Sequence, residues 1–235
     1  MSNRTVLVAG GTGGLGRAVS LAFLAQGANV VVTYREEQEL AELKSLAGAN
    51  AVRLTARATD VTDEAAVQLL VESIIADHSR LDVLVNTVGG YAGGIKLWEL
   101  DTKTFDRMFN SNVRSGFVLA KVAVQQMLKQ NSGAIINIAA KAAFDHAAGA
   151  SAYAASKAAA VALMDSLAAD LHGTGVRVNS ILPSIIDTPI NRKAMPKAKF
   201  DAWPKPEEIA GVILFLASDE ARLIHGAAIP VYGNS

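Results

Sequence analysis

Cysteine is absent from this 235-residue chain, which excludes disulfides, zinc–thiolate sites and a cysteine nucleophile. That absence agrees with a reducing compartment, and a cytoplasmic location is expected. An excess of one charge is also lacking. The 22 Lys and Arg balance 22 Asp and Glu, so no global positive field gathers phosphate backbones or anionic lipid. Nucleic acid and membrane surfaces are therefore not the expected partners. No apolar run approaches the roughly 18–20 residues needed to span a bilayer. Gly10 and Gly11 interrupt the first apolar segment before a signal-peptide core could form, so a soluble, unprocessed protein is expected. His78, His146, His172 and His225 include no pair at metal-ligand spacing, and no metal site is expected.

What is present is a chain of 51% hydrophobic and 19% charged residues, enough apolar content for one large folded unit spanning 1–235. Short β-branched runs alternate with longer segments of helical period, the pattern of a parallel sheet with crossover helices. Strands are expected at 5–9, 29–34, 51–56, 81–86, 134–139, 176–182 and 227–231. Helices are expected at 15–26, 36–46, 63–78, 102–130, 151–172 and 206–218. The expected fold is a Rossmann-like doubly wound α/β domain with about seven strands. Pro189, Pro196 and Pro204, with Pro183 just before them, crowd the segment 184–204, too many for one continuous helix. An irregular segment of this length is expected to cover a site.

After the first strand comes Gly10-Gly11-Thr12-Gly13-Gly14-Leu15-Gly16, opening the first helix. Glycines let the backbone turn sharply and approach a pyrophosphate, while the helix start offers unpaired N–H groups and a positive dipole end. A tight turn without a ligand is the alternative reading. At the end of the second strand stand Tyr34 and Arg35. Arginine pairs with a 2′-phosphate where an acidic residue would hold the ribose diol, so NADP(H) is favoured. Neighbouring Glu36 keeps NAD(H) open, and Arg35 as a solvated surface residue is the bland alternative.

Tyr153 and Lys157 lie four apart at the start of an expected helix and share one face. A lysine cation beside the phenol would lower its pKa and ready Tyr153 as a proton donor.

The spacing Gly10-x-x-x-Gly14-x-Gly16, together with Tyr153-Ala154-Ala155-Ser156-Lys157, resembles the short-chain dehydrogenase/reductase family along essentially the whole chain. The resemblance implies that Asp60 and Val61 lie near the adenine and that Asn86-Thr87-Val88-Gly89 replaces the family's Asn-Asn-Ala-Gly. It implies that Lys157 holds the nicotinamide ribose, that Asn112 supports a proton relay, and that Pro183, Ile186 and Thr188 line the cofactor. Asn112 serving only a kinked helix, and Thr188 only shaping a turn, are the alternatives. Family members are dimers or tetramers, so a homodimer or homotetramer is expected. The apolar faces 118–127 and 158–167 serve either that packing or the internal core.

The family's serine thirteen positions before the tyrosine falls on Ala140. Ser151 and Ser156 flank Tyr153 without matching that position. A ketone reductase lacking this hydroxyl loses a hydrogen bond worth about 1–3 kcal/mol if left unsatisfied. A narrower resemblance, to the dihydropteridine reductases, rests on Gly89-Gly90-Tyr91-Ala92-Gly93-Gly94, on Ala139-Ala140-Lys141-Ala142-Ala143 and on the run from Asp187 to Trp203. Those enzymes also lack the serine. Their quinonoid substrate gains aromatic stabilisation on accepting hydride and needs less polarisation.

This resemblance implies that Tyr91, Ala140, Lys141, Asn191 and Trp203 shape the substrate pocket. The chain departs from it in having Tyr91 for a tryptophan and Arg35 where an acidic residue would select NADH. The expected activity is reduction of a quinonoid dihydropterin or similar conjugated heterocycle. The alternatives are a carbonyl or quinone reductase using water or Lys141 in place of the hydroxyl, and a non-catalytic dinucleotide-binding regulator. Asp145 and His146 could enter the pocket, but a polar exposed loop is the favoured reading.

Overall fold

A computed structural model describes residues 1–234; Ser235 lies outside the described residues. Seven parallel strands form one sheet in the order β3-β2-β1-β4-β5-β6-β7. They are β1 (Thr5–Ala9), β2 (Asn29–Tyr34), β3 (Leu54–Ala58), β4 (Val83–Asn86), β5 (Gly133–Ile138), β6 (Val176–Pro183) and β7 (Ala227–Val231). The crossover helices are α1 (Gly14–Ala25), α2 (Glu37–Ala47), α3 (Glu64–His78), α4 (Thr102–Phe109), α5 (Ser115–Gln130), α6 (Ser151–Asp170), α7 (Pro189–Ala194) and α8 (Pro206–Ala217).

The central strands are buried almost throughout and mostly apolar because helices cover both faces. Val6 and Val8 of β1 point into one core with Phe23 of α1 and Ile213 of α8. Leu7 and Ala9 point into the other, with Ile74 of α3, Leu119 of α5 and Met164 of α6. A buried side chain of this size contributes about 1.5–3 kcal/mol.

Strand order reverses between β1 and β4, so the loops leaving their C-terminal ends diverge to opposite faces and open a crevice there. Register aligns those ends: Ala9 pairs with Asn86, and Asn86 with Asn137.

Three expectations require correction. Residues 51–53 belong to a 3-10 turn preceding β3, because this exposed edge has nothing to pair until Leu54 meets Val30. The helix expected at 102–130 is two helices joined by a π-helical turn at Asn110–Arg114. The Ser111 and Ser115 hydroxyls donate to the Arg107 and Ser111 carbonyls along that turn. The proline-rich segment 184–204 contains α7, with Thr188 as its N-cap and Pro189 at its first turn, where a missing N–H costs nothing.

Candidate active site

The glycine loop is shaped by close approaches. Gly10 has φ +73°, and a Cβ there would meet Thr87 Oγ1 at 3.0 Å and Val88 Cγ2 at 3.1 Å. A Cβ on Gly16 would lie 2.1 Å from the Gly10 carbonyl oxygen. The Gly10 N–H donates to Thr33 Oγ1, and Thr87 Oγ1 donates to the Ala9 carbonyl. Thr87 therefore does a sealing job that its own sequence position did not reveal.

Helix α1 starts with Gly13 as its N-cap, no side-chain cap and no acidic residue in its first turn. Its N–H groups at Gly14, Leu15 and Gly16 suit an anion. Thr188 closes over them, its methyl 3.1 Å from where a Gly14 Cβ would stand. This cradle, open only because side chains are missing from it, fits the pyrophosphate of a dinucleotide.

At the C-terminal end of β2 and the loops beside it, Tyr34 donates to Glu37 Oε1 and Thr12 Oγ1 to Glu39 Oε2. The bond to Glu37 raises the Tyr34 pKa. Asp60 accepts from the backbone and hydroxyl of Thr62. These bonds, aided by the positive field of Arg35, hold its carboxyl below the ordinary range. Arg35 is thus exposed and close enough to Asp60 to act on it. Val61 is buried beside this end.

Gly89 joins the two halves of the site. A Cβ there would fall 2.8 Å from Asn112 Oδ1 and 3.2 Å from Lys157 Nζ, so the loop after β4, the π-helical turn and α6 meet at one glycine. The Asn112 amide is fully committed. It accepts from the Gly90 N–H at 2.8 Å and donates to the Gly90 carbonyl at 3.0 Å and to Ser156 Oγ at 2.9 Å. Ser156 in turn donates to the Tyr153 carbonyl. The side chain of Asn112 acts as a clamp on this loop. Below it, Asn86 donates to Asn137 Oδ1 and accepts from the Val88 N–H, fixing the start of the same loop.

Lys157 is 6% exposed and donates to the Ile138 carbonyl at 2.9 Å. Burial pushes its pKa down to about 8. Tyr153 departs from the expectation, because burial and then Tyr91 push its pKa up to about 12. The Lys157 ammonium is turned onto a β5 carbonyl, and its cation does not offset the desolvation of the phenol. Tyr91 lies edge-on to Tyr153 with centroids 4.9 Å apart and planes at 77°.

Ala140 follows β5 and accepts the N–H of Ala143 in a tight turn that packs against α6. The serine position therefore holds a buried methyl group. Ser156 is bonded to backbone, and Ser151 is the first residue of α6, its hydroxyl buried without a hydrogen-bond partner among the described residues.

Lys141 lies 3.7 Å from Asp145 and 5.2 Å from the Tyr232 ring centroid. It leans toward the chain end after β7. His146 contacts the Ala143 carbonyl on an exposed loop.

Two residues of the 184–204 segment serve the segment itself. Asn191 donates to the Ile186 carbonyl. Trp203 is 6% exposed and packs on Phe200, so it anchors the segment where a wall of the pocket was expected. Pro183 ends β6 opposite Val231.

The cleft at the N-terminal end of the strands, about 250 Å³ and lined by Arg4, Asp82, Arg177 and Asp219, is structural. Arg4 and Arg177 donate to the carbonyls of Ala217 and Ser218 at the end of α8.

A family model described as short chain dehydrogenase matches residues 4–199. The 3-oxoacyl-(acyl-carrier-protein) reductase FabG of Thermotoga maritima is 31% identical, covering 99% of this chain and 98% of that protein. D-threitol dehydrogenase of Mycolicibacterium smegmatis is 32% identical, covering 99% and 93%. Cyclopentanol dehydrogenase of Comamonas testosteroni is 32% identical, covering 99% and 97%. Among solved structures, ElxO with NADP bound superposes with a TM-score of 0.92 at 27% identity, covering 99% of this chain and 98% of that one. With its seven parallel strands and glycine cradle, this chain belongs to the short-chain dehydrogenase/reductase family and is an NAD(P)-dependent oxidoreductase.

Proposed function

We propose that this oxidoreductase uses NADPH to reduce a flat conjugated heterocycle of the quinonoid dihydropterin type. The observation that carries the reading is the buried methyl of Ala140 where a hydroxyl would polarise a carbonyl. Neither Ser151 nor Ser156 stands at that turn. A ring that becomes aromatic on accepting hydride tolerates this loss.

A bound nicotinamide dinucleotide would supply the hydride. Tyr153 donates the proton, its raised pKa keeping the phenol protonated at neutral pH. Lys157 holds the ribose, and Asn112 fixes the Gly89–Gly90 loop beside it. Tyr91, against Tyr153, provides an aromatic face for the ring, and Ala140 leaves room for it. Lys141 shapes the outer pocket, and Asn191 and Trp203 contribute to it indirectly by fixing the 184–204 segment.

The glycine loop, with Gly10, Thr12, Gly13, Gly14, Leu15 and Gly16, receives the pyrophosphate with Ile186 and Thr188. Asp60, Val61, Asn86, Val88, Gly89 and Pro183 line the rest. Arg35 and Tyr34 receive the 2′-phosphate. Exposed Phe105, Phe117 and Leu128 on α4 and α5 support a homodimer or homotetramer, and the absence of cysteine suits the cytoplasm.

The relatives named for ketoacyl and alcohol substrates favour the second reading, a carbonyl reductase. Rates with NADPH and NADH on quinonoid dihydropterin, quinones and simple ketones decide between them, with Tyr153→Phe as the inactive control. Fast ketone reduction without pterin activity refutes the first reading. Arg35→Asp is expected to abolish the NADPH preference, and an unchanged preference refutes the role of Arg35.

A further inference from the structure

The segment that follows Thr188 carries a charge bias that the nucleotide site does not use. Between Pro189 and Lys205 stand Arg192, Lys193, Lys197, Lys199 and Lys205 against one carboxylate, Asp201, in a chain whose charges balance overall. Arg192 is occupied: it pairs with Asp187 and lies 4.8 Å from the centroid of the Phe200 ring. Lys193, Lys197 and Lys199 are exposed and make no ion pair among the described residues.

The placement of these lysines is constrained. The base of the segment is tied by the Asp187 N–H to the Pro204 carbonyl, by the Asn234 N–H to the Ala202 carbonyl, and by buried Trp203. Thr188, at that base, lies on Gly14. The projecting part therefore stands at the C-terminal edge of the sheet, where the loops bearing Tyr91 and Ala140 also emerge. It carries exposed Ile190 just before its cations and exposed Met195 among them. Like charges grouped on a tethered surface with apolar neighbours fit an amphipathic anion.

We propose that Lys193, Lys197 and Lys199 form an anion-recognition rim, and that the preferred substrate carries a carboxylate- or phosphate-bearing tail on its flat ring. This rests on the reductase reading above. The dinucleotide's own phosphates are the other source of the same chemistry, but the glycine loop, the α1 N-terminus and Arg35 already provide for them.

The test uses the NADPH-loaded enzyme and two quinonoid dihydropterins with the same ring, one bearing a methyl group at ring carbon 6 and one a p-aminobenzoyl-glutamate tail. In K193Q/K197Q/K199Q the KM for the tailed substrate is expected to rise about three- to ten-fold, with kcat and the KM of the neutral substrate unchanged. Raising salt should reproduce that rise in the wild type alone. An equal change for both substrates, or none for the tailed one, overturns the proposal. Weaker NADPH binding as the only change assigns the rim to the cofactor and also overturns it.

Binding of p-aminobenzoyl-glutamate alone, followed by saturation-transfer NMR, does not depend on turnover. If neither pterin is reduced, the functional reading fails. The rim still stands if the wild type binds this fragment and the triple variant does not, and it falls if the wild type shows no binding.

Discussion

Replacing Gly16 with alanine tests whether the glycine loop is built as described. The new Cβ would stand 2.1 Å from the Gly10 carbonyl oxygen, 2.8 Å from its carbon and 2.8 Å from Thr87 Oγ1. Two of these atoms are backbone, and the third is held by its bond to the Ala9 carbonyl, so nothing can swing away. Overpacking of this kind costs about 1–3 kcal/mol or more, and the better helix propensity of alanine returns at most about 1 kcal/mol.

A net loss of about 2 kcal/mol lowers the Tm of a domain this size by about 4–8 °C. Gly13→Ala is the matched contrast. Its Cβ would meet only the Gly10 carbonyl oxygen at 3.6 Å, an ordinary contact, and φ is −70°. That variant should melt within about 2 °C of the wild type yet bind NADPH more weakly, because its methyl group points into the cradle. Thermal melts and NADPH titration by fluorescence measure both. A Gly16→Ala protein that melts like the wild type and binds NADPH equally well refutes the account of the loop.

The parts of the site that were legible in the sequence are those set by contiguous residues. The glycine spacing dictates a turn and a helix start within seven residues, and Tyr153 and Lys157 share a face because any helix puts them there. The strands read clearly where both faces are covered and less well at β3, whose edge is half exposed. The break at 110–114 was hidden, since the segments on either side keep helical period and a π-helical turn interrupts them without a Pro or Gly to mark it. The duties of Asn112 and Thr87 were hidden because their partners arrive from elements distant in sequence: Gly90 from the loop after β4, Ser156 from α6 and Ala9 from β1. The Tyr153 pKa was misjudged for the same reason: Lys157 is near in sequence, but in space its ammonium bonds Ile138, and Tyr91 is what touches the phenol. A Pro-Arg-Lys-rich run gave no sign that Trp203 would be an internal anchor.

Lys157 is buried as a cation and its pKa is lowered from 10.5 to about 8. The unfolded chain therefore binds the extra proton between those values, and stability rises with pH across that window. Lys157→Met removes a desolvation cost of about 3 kcal/mol and loses the bond to Ile138, worth about 1 kcal/mol. Its Tm should exceed that of the wild type at pH 7 by about 4–8 °C, and the gain should vanish by about pH 10 while activity stays lost. A pH-independent difference contradicts the burial. Tyr91→Ala exposes the Tyr153 phenol and removes the one titratable neighbour that raises its pKa, so tyrosinate absorbance should show Tyr153 ionising at lower pH than in the wild type. Tyr91→Phe should keep most of the desolvation, and identical titrations in all three proteins would refute the contact.

The central claim is that the methyl of Ala140 biases this reductase away from carbonyls that need a second hydrogen-bond donor. Ala140→Ser places a hydroxyl at the turn, worth about 1–3 kcal/mol to a developing alkoxide. The measurement is kcat/KM with NADPH for a simple cyclic ketone and for quinonoid dihydropterin, in wild type and Ala140→Ser. The account predicts a ketone gain of about 10-fold or more with pterin reduction changed less than about three-fold. Equal gains for both substrates, or a wild type that already reduces the ketone faster than the pterin, would contradict it.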